Sequence, residues 1–226
     1  MAAFVVERRC TRLLPRGSAD LLDPRSSALL LWDLQNGLGG RAVDLERLRA
    51  CWKELRDAAR AAGVLIVRSK HVAPPLDVMD DTELWRIMRK QGVHRLEDLR
   101  PYMVRGSADV EFLDGFEPGD DELVIEKTTP SLFVGTPAAA WLRACGIRSI
   151  VLAGVATDIG IEFTARHAAA LGFFALVVED AVGAYTLEAQ ARGLACVRSF
   201  ALAESTANIV AGWATAAAGS TGGGTE

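Results

Sequence analysis

The sequence lacks the features that mark several large protein classes. No apolar run approaches the ~18 residues of a membrane-spanning helix, and the opening MAAFVVERRC has neither the charged leader nor the long apolar stretch of a secretory signal. The expected location is therefore the cytoplasm. A net charge of −4 over 226 residues leaves no basic face for nucleic acid and no field that would draw an anionic polymer. The 4 cysteines, Cys10, Cys51, Cys145 and Cys196, show no C-x-x-C or other ligand spacing, which predicts reduced thiols rather than disulfides or zinc. Histidine is scarce, with 3 in the chain and none between Leu34 and Ala42. No segment repeats another.

What is present is apolar material: half of the residues are hydrophobic, enough for one sizeable core. The expected organisation is a single domain over residues 1–217, beginning with an arm at 1–26 broken by Pro15, Gly17 and Pro24, and followed by a flexible tail at 218–226. Short continuous apolar runs predict buried parallel strands at Ala28 to Trp32, Val64 to Val67, Leu123 to Glu126, Ile150 to Ala153 and Phe173 to Val178, with a short sixth at Phe200 to Leu202. Between them, helical spacing predicts helices at Val43 to Ala62, Asp81 to Gln91, Pro137 to Cys145, Ile161 to Leu171 and Leu187 to Val197, and a last one from Thr206 to Ala217. Alternating strand and helix imply an α/β fold with an open, six-stranded parallel sheet covered by helices on both faces, because parallel strands need crossover connections.

Open sheets of this kind bind ligands outside the carboxyl ends of their strands. Asp33 follows the first strand, Lys127 ends the third, and the turn Ala156 to Gly160 follows the fourth, so residues distant in sequence are expected to converge. Read alone, Asp33 is either a catalytic carboxylate or a cap for the N–H groups around Gly37. Thr157 and Asp158 are candidate caps of the following helix. Residues 72–122, irregular apart from Asp81 to Gln91, are where substrate selectivity is expected. There Trp85 is a candidate apolar lining, and Arg86 belongs to a basic cluster with Arg89, Lys90, His94 and Arg95 that suits a carboxylate-bearing substrate or is simply solvated. His71 near the same edge invites a metal reading, but one histidine does not make a site.

Three stretches carry a resemblance. ALLLWDLQNGL, EKTTPSLFVGTPAAAWLRACGI and GVATDIGIEFTARHA are similar, in order, to the signatures of the isochorismatase-like hydrolase superfamily, which includes nicotinamidases, N-carbamoylsarcosine amidases and isochorismatases. The resemblance implies that fold, with Asp33 and Lys127 catalytic, backbone N–H groups of Ala156 and Gly160 forming an oxyanion site, and Gln35 and Phe133 within the family pattern. It also implies dimers or tetramers, and neither a cofactor nor a metal is expected. In the family's cysteine hydrolases the residue two after the motif aspartate is the nucleophile; here that position is Gly160. Cys145, on a scaffold helix, is a poor substitute.

Without a thiol, thioester chemistry has no attacking group. Isochorismatases, which the resemblance pairs with a glycine at this position, cleave a vinyl ether by protonation and water addition, and Asp33 could serve as that general acid. The motif Ala156-Thr157-Asp158 is otherwise of the cysteine-hydrolase type. Three readings follow: a Cys-independent hydrolase of a small anionic metabolite, a catalytically silent binding or assembly protein, or an amidase whose Cys was removed by engineering. If only the thiol is missing, a cysteine placed at position 160 is expected to be activated by Lys127.

Overall fold

The computed structural model describes residues 14–221. The six strands are β1 (Ser27–Trp32), β2 (Leu65–His71), β3 (Leu123–Lys127), β4 (Ser149–Val155), β5 (Phe174–Gly183) and β6 (Leu202–Glu204). They form one sheet in the order β3-β2-β1-β4-β5-β6, and every pairing is parallel. The helices are α1 (Leu45–Ala62), α2 (Asp81–Gln91), α3 (Ala138–Ala144), α4 (Glu162–Ala170), α5 (Leu187–Val197) and α6 (Thr206–Thr221). The order reverses between β1 and β4, which is the place where such sheets open a crevice.

Alternation along each strand builds two cores. Leu29 and Leu31 of β1 and Val151 and Ala153 of β4 face α1 and α6, which contribute Leu48, Trp52, Leu55, Ile209 and Trp213. Leu30 and Trp32 of β1 and Ile150 and Leu152 of β4 face the other way, toward Leu142 of α3, Ala165 and Ala168 of α4 and Val197 of α5. β1 and β4 are buried along their whole length, which is why they read as unbroken apolar runs rather than as alternating ones.

The structure departs from the sequence expectations at several element ends; β5 runs to Gly183, five residues beyond the expected Val178. β2 runs to His71, four residues beyond the expected Val67, because Arg68 is a strand residue hidden from solvent. Its guanidinium donates to Glu122 at 2.6 Å, and Arg60 donates to the other oxygen of the same carboxylate at 2.6 Å. The charge is thus neutralised inside the fold, a condition that composition cannot reveal. β6 starts at Leu202 rather than Phe200. Helix α6 continues through Ala216, Ala217 and Ala218 to Thr221, past the expected tail boundary, since alanine sustains a helix better than any other residue. The remaining tail and the first part of the N-terminal arm lie outside the described residues.

Thr157 and Asp158 do not cap. The chain leaves β4 through a π-type turn, Thr157–Ile161, with no side-chain cap at either junction. Instead the Thr157 hydroxyl donates to Gln190 Oε1 at 2.6 Å and Asp158 pairs with Arg192 at 2.9 Å. Both partners are on α5, so these two motif residues tie the turn to its neighbouring helix. No helix among the described residues is long and apolar enough to cross a membrane.

Candidate active site

Period-two alternation places four polar-capable side chains on one sheet face at its carboxyl edge. Trp32, Ser69 with His71, and Lys127 continue the parity of Leu30, Val67 and Ile125, which all belong to the core beneath α3, α4 and α5. Asp33 follows Trp32, and alternation alone would send it to the opposite face. Its backbone instead turns left-handed at φ 49°, a conformation that Asp tolerates better than most residues.

The turn brings the carboxylate to its partners. Asp33 Oδ2 accepts from Lys127 Nζ at 2.8 Å, and Oδ1 accepts from the Ser69 hydroxyl at 2.5 Å. Ser69 Oγ in turn accepts the backbone N–H of Asp33 at 2.9 Å. The capping alternative for Asp33 is therefore not realised, since the N–H of Gly37 donates to the Asp109 carbonyl at 2.9 Å. Asp33 and Lys127 are both buried, and burial pulls the lysine below its ordinary pKa while the adjacent carboxylate opposes that shift. The ammonium also lies 4.3 Å from the centroid of the Trp32 ring.

Glycine is required at two positions of the turn that faces this pair. Gly154 adopts φ 124°, and a Cβ there would lie 2.2 Å from the carbonyl oxygen of Trp32, its register partner on β1. At Gly160 a Cβ would lie 2.1 Å from Trp32 Nε1 and 2.5 Å from Cε2. The volume that a side chain at position 160 would use is thus filled by the edge of the indole. The sequence expectation that only the thiol is missing is corrected here: the glycine and the tryptophan fit each other, and neither is a free position.

Asp33, Lys127, Trp32, Ala156 and Gly160 line one pocket with a free volume of about 50 Å³. The same pocket is lined by His71, Arg86, Lys90, Tyr102 and Tyr185. Arg86 and Lys90, four residues apart on α2, share the helix face toward the pocket. Arg86 is held by Glu83 through two hydrogen bonds, whereas Lys90 has no ion-pair partner among the described residues and lies over the Tyr102 and Tyr185 rings at 5.8 and 5.4 Å. Burial raises the pKa of both tyrosines, so they stay neutral.

Three expected site residues sit elsewhere. Trp85 is 60% exposed on the side of α2 that carries Arg89, whose guanidinium lies 5.3 Å from its ring, and it does not line the pocket. Phe133 packs in the core, stacked on Phe173 at 5.9 Å and edge-on to His167 at 5.4 Å. Gln35 is fully buried, and its carboxamide is consumed by bonds to the His71 carbonyl, the His71 N–H and the Val110 carbonyl at 2.9, 2.7 and 2.8 Å. It fastens the segment around Val110 across the sheet edge. Ser69 and Trp32 belong to the site although sequence reasoning does not single them out. The available signal is parity with Lys127 and His71, but only a correct end for β2 exposes it.

His71 supplies a pH test of this geometry. Burial, and secondarily the charge of Lys127, lower its pKa from 6.5 to about 4. The unfolded chain therefore takes up a proton near pH 6.5 that the folded chain refuses until about 4, so stability is full above that window and falls as the pH drops through it. Urea unfolding at pH 7 and pH 4 should show a loss about 3 kcal/mol larger in the native chain than in His71→Phe. Equal losses would mean that the imidazole is solvated.

Comparison with known proteins agrees with the fold. The model of the isochorismatase domain matches residues 27–208. A cysteine hydrolase from Pseudomonas syringae pv. phaseolicola superposes with a TM-score of 0.75 at 19% identity, covering 92% of this chain and 100% of that one. An isochorismatase family protein from Burkholderia thailandensis gives 0.69 at 26% identity, covering 84% and 96%. The N-carbamoylsarcosine amidase of Thermoplasma acidophilum gives 0.63 at 24%, covering 80% and 96%.

Proposed function

The chain belongs to the isochorismatase family, and we propose that it hydrolyses a small anionic metabolite without a cysteine nucleophile. In this reading Asp33 is the general acid and base, Lys127 shares its proton, and backbone N–H groups of Ala156 and Gly160 hold the oxygen that departs as the hemiketal collapses. The leading substrate form is a vinyl ether of the isochorismate type. The observation that carries the proposal is the buried Asp33–Lys127 pair, 2.8 Å apart, facing a position 160 that offers no nucleophile.

The chemistry needs one transferable proton and one water. Burial makes the Lys127 ammonium a stronger acid than a free lysine, so the proton in the Lys127–Asp33 hydrogen bond can be delivered through the carboxyl group to the terminal enol-ether carbon. Water then adds to the resulting oxocarbenium carbon and returns a proton to the pair. Collapse of the hemiketal releases the alcohol and a 2-oxo acid. Lys90 and Arg86 in the pocket lining suit the substrate's negative charge.

Incubation with isochorismate, followed by assay of pyruvate, tests this form directly. Asp33→Asn should lower the rate at least about 100-fold, the usual worth of a positioned acid or base. Pyruvate release no faster than the Asn background would overturn it. A catalytically silent binding protein of the same fold, favoured by the lack of a side-chain nucleophile at Gly160, predicts ligand binding with no turnover.

A further inference from the structure

The protein buries three tryptophans almost completely: Trp32, Trp52 and Trp213. Two of them satisfy the indole N–H inside the fold. Trp52 Nε1 donates to the Ala181 carbonyl at 2.7 Å, and Trp213 Nε1 donates to the Ser27 hydroxyl at 3.2 Å. Trp32 Nε1 has no acceptor among the described residues. Among the described residues the side-chain polar atoms sealed from solvent without a partner are Arg68 Nη2 and Ser107 Oγ, so Trp32 Nε1 keeps a small opening, and Trp32 lines the pocket. An indole N–H in a largely buried ring is normally paired, so this one is open to an acceptor that enters the pocket.

Its position gives the donor a meaning. The nitrogen lies 2.1 Å from where the Cβ of residue 160 would stand, beside the turn that carries the family's nucleophile. The same ring lies 4.3 Å below the Lys127 ammonium, which is itself bonded to Asp33. In the pocket lining, Lys90 supplies a positive charge with no carboxylate in ion-pair range among the described residues.

We propose that Trp32 Nε1–H is a ligand-binding donor standing where the thiol would be, and that it receives an oxygen of a small carboxylate drawn into the pocket by Lys90 and Lys127. The inference rests on the anionic-substrate reading above, but it concerns binding and holds whether or not the bound molecule turns over. Trp32 thereby acts twice, since the side chain that excludes a nucleophile also supplies the contact that replaces it.

The probe is pyruvate, with methyl pyruvate as the neutral counterpart, added to the ¹⁵N-labelled full chain. The indole resonance that disappears in Trp32→Phe identifies Trp32; should that variant fail to fold, backbone-linked assignment of the native chain serves instead. Pyruvate should move the Trp32 Nε1–H resonance downfield and saturably while those of Trp52 and Trp213 stay in place, and methyl pyruvate should not. Affinity should fall about tenfold or more in Trp32→Phe, which removes the donor together with part of the ring, and also in Lys90→Ala. Pyruvate binding that depends on Lys90 but leaves the Trp32 resonance unmoved overturns the inference and spares the anionic reading. No saturable change in any resonance overturns both.

Discussion

A single added methyl group at position 160 is expected to be among the most damaging small changes in the chain. In Gly160→Ala the new Cβ would meet Trp32 Nε1 at 2.1 Å and Cζ2 at 2.8 Å. The indole cannot withdraw cheaply, since it is 1% exposed and packed in the core beneath α3 and α4. Overpacking of this kind costs about 3 kcal/mol, which for a domain of this size lowers the Tm by roughly 6–12 °C. Gly160→Cys should be at least as unstable, and its thiol should label with iodoacetamide like a free cysteine, with a pKa near ~8.5. The double variant Trp32→Val with Gly160→Cys should behave differently. It removes the obstructing ring, so it should be more stable than Gly160→Cys alone, and its thiol, beside Lys127 at the start of a helix, should titrate below ~8.5. A single Gly160→Ala variant with native stability would show that the indole does not occupy this volume.

Lys127→Met should lose about 3–5 kcal/mol at neutral pH. The substitution leaves the Asp33 carboxylate buried with the Ser69 hydroxyl as its remaining side-chain donor, and an uncompensated buried charge costs far more than an intact pair contributes. The methionine stem retains contact with the Trp32 ring, so the loss reports charge rather than packing. Asp33→Asn combined with Lys127→Met should recover much of the stability, because neither charge then remains unpaired; the interaction free energy of that cycle should be about 2 kcal/mol or more. Additive losses would mean that the two groups are solvated and independent. Turnover should fall at least about 100-fold in Asp33→Asn, in Lys127→Met and in the double variant, which separates the catalytic reading of the pair from its structural cost.

The order of strands and helices is legible because each element has a local cause. Buried strands β1 and β4 read as continuous apolar runs, α1 shows Leu48, Trp52, Leu55 and Ala59 on one face, and Gly63 and Gly92 end α1 and α2 at φ 72° and 67°. The convergence of Asp33 and Lys127 follows from the same logic, since parallel strands deliver their carboxyl ends to one edge. β2 reads too short because Arg68 and Lys70 look like a loop, and only the ion pair with Glu122, 54 residues away, makes the buried Arg68 compatible with a strand.

The identity of Gly160 and its place beside Asp33 and Lys127 were determined by the sequence, and so was the absence of a thiol. The tertiary structure decided what that absence means. Trp32 reads locally as the last apolar residue of a strand, and nothing in its neighbourhood along the chain connects it with a glycine so much later in the sequence. Pairing of β1 with β4, and the turn that follows β4, place the indole edge against Gly160 and the ring under Lys127. Steric exclusion and cation–π contact act over a few ångströms of space, whereas sequence pattern records only the separation along the chain.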